Sequence, residues 1–294
     1  AARLSEGSVR VDKAFWQAII EADFAVPDGY SAQDLTPELV GYLGSTDPEL
    51  RDTLSYPILA NWLDRDLYAE DEKRALLAQL AGNLMRGIGE SGTDSVFLRA
   101  FSVLMLAELV HEDNQRPWLG AEEARQLLEL ALVYLEAERD LRGWVPEKGW
   151  AHSPAHTADL LWTLARNRYL AADDLQRMLS AIRAKALNPV AAPFVYDEDE
   201  RLAQPVVAAM RRGLVEQRFL AEWVAGFVNR MDQPSWEDAF LAGEDYIPRH
   251  NAKLVLRSLY GQLIGSETPP AGTVEFLPNL TAALESFSQW YRRA

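Results

Sequence analysis

The sequence predicts an all-α protein, an α-α superhelix of HEAT-like helical hairpins. Three observations carry that expectation. Apolar residues recur at helical spacing along almost the whole chain. Helix starts recur roughly every 20 residues and helix pairs roughly every 40, the rhythm of stacked α-hairpin repeats. Strand signals are weak, with no alternating β-branched run and no Asn-Gly or Asp-Gly hairpin turn. An irregular helical bundle or a closed α/α toroid is the alternative. The only candidate linker is 265–272, so 1–294 reads as one helical domain.

The elements follow from stripes and end signals. Residues 11–23 place Phe15, Trp16, Ile19 and Ile20 on one face, before Pro27 and Gly29. Thr36-Pro37-Glu38 reads as a helix start with proline at the first helical position, and Asp47-Pro48-Glu49 repeats it. Pro57 predicts a kink or break in the helix carrying Leu54, Ile58, Leu59 and Trp62. Further helices are expected over 70–88, from Thr93 or Asp94 through Leu109, and over 121–138, 154–170 and 173–187. After an irregular stretch at 190–199, helices resume over 200–214, 217–230, 234–241, 248–264 and 274–290.

Bulk properties exclude several function classes. Against 29 Lys and Arg stand 44 Asp and Glu, a formal net charge of −15. A nucleic-acid binder needs a basic face, and no basic run exceeds Arg211-Arg212 or Arg292-Arg293. With no cysteine there is no disulfide, thiolate nucleophile or Cys-ligated zinc. No apolar run approaches the roughly 18 residues of a membrane helix; the longest, 101–110, is interrupted by Ser102 and Glu108. The expectation is a cytoplasmic protein without a signal peptide, acting on a small molecule or a protein or peptide partner and not on nucleic acid or membrane.

One stretch departs from ordinary amphipathic helix. Residues 143–162, GWVPEKGWAHSPAHTADLLW, hold three of nine tryptophans and two of four histidines. Ser153-Pro154 reads as N-cap and first helical residue, which puts His156 and Asp159 on one face with His152 folded back over it. Two imidazoles and a carboxylate suit a divalent metal such as zinc, with His152 and His156 as ligands. They also suit acid–base chemistry with His156 and Asp159 as catalytic candidates. The plainer alternative is a polar cluster that ties a loop down; the spacing lacks the adjacent Glu of a zincin helix. Trp144 and Trp150 could wall a pocket or plug the gap between helix pairs.

Other polar residues could join this site. Ser95, Arg99 and Ser102 share a helix face, and a buried Arg99 needs a partner such as Asp159 or Glu198. The acidic run Asp197 to Glu200, followed by Arg201, fits a helix N-terminus. His250, near Asn251 and Arg257, is a candidate third imidazole.

DSVFLRAFS (94–102), RGWVPEKGWAHSPAHTADLL (142–161), YDEDERLA (196–203) and LRSLY (256–260) together resemble a bacterial family called domain of unknown function 2785. The resemblance implies a helical protein whose four segments belong together, and it transfers no catalytic residue. The sequence thus supports a binding or scaffold module with a groove at Trp144, Trp150, His152, His156, Asp159, Arg99, Ser102, Glu198, Arg201 and His250. A hydrolase built on His152, His156 and Asp159, metal-assisted or not, is the alternative.

Overall fold

A computed structural model describes residues 12–188, 192–229, 235–242 and 246–287. These form thirteen α-helices, a short π-helical segment and one two-stranded hairpin. The chain is mostly helical, as the apolar periodicity predicts. Expected element ends at 11, 190, 230, 234 and 290 lie outside the described residues.

Local chemistry sets the element ends. Helix α1, Lys13–Glu21, begins where the Asp12 carboxylate accepts from the Phe15 N–H. Helix α2, Ala32–Tyr42, starts earlier than Thr36-Pro37-Glu38 suggests. A capping box takes precedence: Ser31 Oγ accepts from the Asp34 N–H at 3.2 Å, and the Asp34 carboxylate accepts from the Ser31 N–H at 2.8 Å. Pro37 therefore lies inside the helix. The expected break near Pro57 takes the form of a π-helical segment, Glu49–Ser55, which passes into α3, Tyr56–Asp64, with Pro57 in the first turn.

Helix α4 spans Glu70–Asn83 and α5 spans Ser95–Gln115. Helix α5 is apolar around most of its circumference and buried along most of its length, the pattern of a helix surrounded by others. Helix α6 is Ala121–Ala137. Strands β1, Trp144–Val145, and β2, Gly149–Trp150, then form an antiparallel hairpin pairing Trp144 with Trp150. Helices α7, Ser153–Ala165, α8, Ala172–Ala186, and α9, Glu198–Arg212, follow. The chain continues through α10, Gln217–Ala225, α11, Trp236–Ala242, α12, Tyr246–Ile264, and α13, Thr273–Ser286.

Packing alternates along the sequence. Helices α5, α7, α9 and α12 lie side by side in one row, and α6, α8, α10 and α13 pack in a second. A continuous apolar cluster runs from Trp16 to Phe287. Buried polar residues join the rows where helix ends need partners. Asp113, fully buried, accepts from the Trp118 and Leu119 N–H groups at 2.8 and 2.7 Å and from Arg168 and Asn167. Arg212 donates to the carbonyls of Ala165, Asn167 and Leu170, which closes the C-terminal end of α7.

Candidate functional site

The hairpin stands on Arg51, which the π-helical segment delivers to the interior. Its guanidinium donates to the Ser45 carbonyl at 2.5 Å and the Lys148 carbonyl at 2.6 Å, and pairs with Asp52. It also lies over the rings of Phe97 and Phe101 at 4.2 and 4.9 Å. Gly149, at φ +75°, passes so close that a Cβ would meet Pro48 at 2.9 Å. Gly143 is needed for space: a Cβ there would fall 2.1 Å from Tyr196 Cδ2.

After the hairpin, the Ala151 N–H donates to the Gly143 carbonyl and the His152 N–H to the Arg142 carbonyl, both at 2.9 Å. His152 is held in the left-handed region at φ 57° and is the N-cap of α7. Ser153 and Pro154 thus fall in the first turn, one place further in than their sequence suggests. Six non-glycine residues among those described have positive φ; Glu147, His152 and Asp197 are three of them, in the hairpin, before α7 and before α9. Histidine and aspartate enter this region more readily than most residues, and Glu147 occupies it at the turn of the hairpin.

Rings then form a path inward. Trp144, half exposed, meets Trp150 edge-on at 5.2 Å, and Trp150 stacks on His152 at 5.0 Å. His152 lies 5.7 Å from His156, which meets Phe101 edge-on at 5.0 Å. A carbonyl only accepts, so the contacts assign the tautomers. His152 donates from Nε2 to the Tyr196 carbonyl at 2.7 Å, and His156 from Nδ1 to the Ala100 carbonyl at 3.1 Å. That leaves His156 Nε2 as a lone-pair acceptor. Burial lowers both imidazole pKa values, that of His156 to about 3, so both are neutral at pH 7.

These rings border a cavity of about 950 Å³ whose wall includes Trp150, His152, His156, Asp159, Tyr196 and Arg201. Asp159 faces Arg201, with Oδ2 3.3 Å from Nη2. Burial nevertheless raises its pKa to about 6, outweighing Arg201, with Glu108 adding to the rise. Tyr56, Glu108 and Asp52 also line the cavity. Tyr56 donates to Glu108 Oε1 at 2.7 Å, and burial followed by that carboxylate pushes the phenol well above its usual range. Burial raises Asp52 despite Arg51 beside it.

The ten residues singled out from the sequence divide clearly. Trp150, His152, His156, Asp159 and Arg201 line the cavity, while Trp144 backs Trp150 from outside. Glu198 is a supporting residue: it accepts from the Val195 and Tyr196 N–H groups at 3.0 and 2.8 Å and stands 3.8 Å from His152 Nε2. Arg99, Ser102 and His250 are not among the lining residues. Arg99 pairs with Glu138 and not with Asp159 or Glu198, through contacts of 2.6 and 3.0 Å. Ser102 accepts from Asn83, and His250 stacks on Tyr246. Among the described residues no group of three or more His, Cys, Asp or Glu side chains is placed to hold a metal.

Glu108, Tyr56 and Asp52 escaped the sequence reading. Glu108 did leave a signal, as a carboxylate interrupting the apolar run of α5. Nothing local distinguishes Tyr56, which arrives from a helix about a hundred residues before Asp159.

The family model described as "Protein of unknown function (DUF2785)" matches residues 84–260. The chain belongs to this family. The matched span contains the hairpin, α5, α7 and α9, and so most of the cavity wall. No curated protein and no solved structure matches the chain. Among the described residues no helix is long and apolar enough to cross a membrane.

Proposed function

We propose that this member of the DUF2785 family is a binding module whose ligand is a small polar molecule held in the cavity between the hairpin, α5, α7 and α9. The observation that carries the reading is convergence. His152, His156 and Asp159 come from the start of α7, Glu108 from α5, Tyr56 from α3, Tyr196 from the segment leading into α9, and Arg201 from the first turn of α9. Their polar atoms meet in a space of small-molecule size. A stacked HEAT-like superhelix as the scaffold is supported by the two alternating rows of helices, and a single domain by the continuous apolar cluster. Carboxylates outnumber the single arginine of this wall, which favours ligands rich in hydroxyl or amino groups.

A thermal-shift screen of small polar metabolites tests the reading. Hits that stabilise the natural protein and lose their effect in Trp150→Ala and Asp159→Asn support it. Hits that stabilise all three proteins equally would place the ligand elsewhere and overturn it.

A second reading, acid–base catalysis as in a hydrolase, is favoured by one specific observation: Asp159, with a pKa raised by burial to about 6, lines the same cavity as a neutral His156. If Asp159 acts as a general base, turnover of a hit compound rises with pH through about 6 and is lost in Asp159→Asn.

A further inference from the structure

A second cavity, of about 1150 Å³, adjoins the first and lies between α7, α9 and α12. Trp162, Glu200 and Gln204 line both, so the two cavities share a wall. Their charge differs. The wall of the second cavity holds Arg166, Arg211, Arg212 and Arg257 against Asp199 and Glu200, in a chain whose formal charge is −15.

The four arginines are not equivalent. Arg212 is committed to the three carbonyls at the end of α7. Arg166, Arg211 and Arg257 are exposed, and none of them forms an ion pair with a carboxylate among the described residues. Arg166 lies over the face of Trp162 at 4.6 Å, which orients its guanidinium beside the shared wall. Arg211 reaches the Ser266 hydroxyl at 3.1 Å across the cavity from α9. Of the acidic pair, Asp199 is occupied by the Ser258 hydroxyl. Elsewhere among the described residues most exposed arginines have a carboxylate: Arg65, Arg125, Arg168, Arg177 and Arg218 do, and Arg86 and Arg139 do not. In so acidic a protein, three unpaired guanidiniums around one concave space are a local reversal of the prevailing charge. Planar guanidiniums suit oxyanions, because their N–H groups match phosphate oxygens in pairs.

We infer that this second cavity is an oxyanion subsite, held by Arg166, Arg211 and Arg257, for the phosphate group of a small ligand. The inference concerns the arginine compartment alone and stands whether or not the first cavity is occupied.

Calorimetric titration with inorganic pyrophosphate at low ionic strength tests it. The natural protein is expected to bind in a saturable manner, and Arg211→Gln/Arg257→Gln to bind about tenfold or more weakly. Arg257→Gln alone gives a smaller loss and serves if the double variant is unstable. Arg218→Gln, which removes an exposed arginine of α10 paired with Glu222, should bind like the natural protein. Absence of saturable binding overturns the inference. So does a loss in Arg218→Gln equal to that in the double variant.

Discussion

At the scale of single residues, His156 and Asp159 are one helical turn apart and are shifted by the same cause, burial, in opposite directions. Their effects on stability therefore oppose each other. Asp159 has a folded value of about 6 against an ordinary 3.8, so the folded state takes up a proton more readily than the unfolded chain. Its contribution to stability is greatest below the unfolded value and is lost as pH rises through about 6. His156 has a folded value of about 3 against an ordinary 6.5. Its contribution is present above the unfolded value and is lost as pH falls toward 3. Between pH 7 and 4.5 the gain at Asp159 offsets part of the loss at His156. Asp159→Asn removes the gain, so the variant should lose on the order of 2 kcal/mol more stability over that interval than the natural protein. Urea unfolding at the two pH values measures it, and parallel losses would show that Asp159 titrates in the ordinary range. Gly143 invites a steric prediction at the same scale. An alanine Cβ would overlap the Tyr196 ring, so Gly143→Ala should cost about 1–3 kcal/mol by the same urea measurement and displace the ring that stands against Trp150.

At the scale of elements, much of the helix pattern was legible because it rests on local chemistry: apolar spacing, proline positions, and carboxylates at helix starts such as Glu198 to Glu200. The hairpin was not legible. Its strands have two residues each, too few for alternation to register, and its turn uses Glu147 in the left-handed region where a sequence signal would be Asn or Gly. Pairings across the chain were equally hidden. Arg99 was recognisable as a buried cation needing a partner, yet Glu138 lies 39 residues away at the end of α6, and nothing in one sequence selects it over Glu198. The ion pair fastens the start of α5 to the end of α6, and the Glu138 carbonyl also receives the buried Lys185 from α8. Glu138→Ala leaves Arg99 buried without its charge partner and should cost about 3–5 kcal/mol. Lys148→Ala breaks a half-exposed pair with Asp94 and should cost about 1 kcal/mol or less. Denaturant midpoints of the two variants check the contrast, and similar losses would contradict the assignment of Arg99–Glu138 as the structural pair.

At the scale of the whole molecule, each row helix packs chiefly on its neighbours: α7 on α5, α6 and α9, and α13 on α10 and α12. The cavity lies near the middle of this order, among α5, α7 and α9, and α12 packs on α9 without lining it. Stability in a nearest-neighbour stack is distributed, so a lesion at one end loosens that end first. Phe276 is a suitable lesion, because its ring is fully buried in α13. Phe276→Ala should cost about 3–5 kcal/mol locally. Amide exchange should then accelerate in α13 and α10 while α5 and α7 keep their protection and the cavity keeps its shape. A closed toroid or an irregular bundle behaves differently: every helix then shares one cooperative unit, and the same substitution lowers protection throughout. Exchange measured helix by helix separates the two, and uniform loss of protection in α5 and α7 would exclude the stacked superhelix.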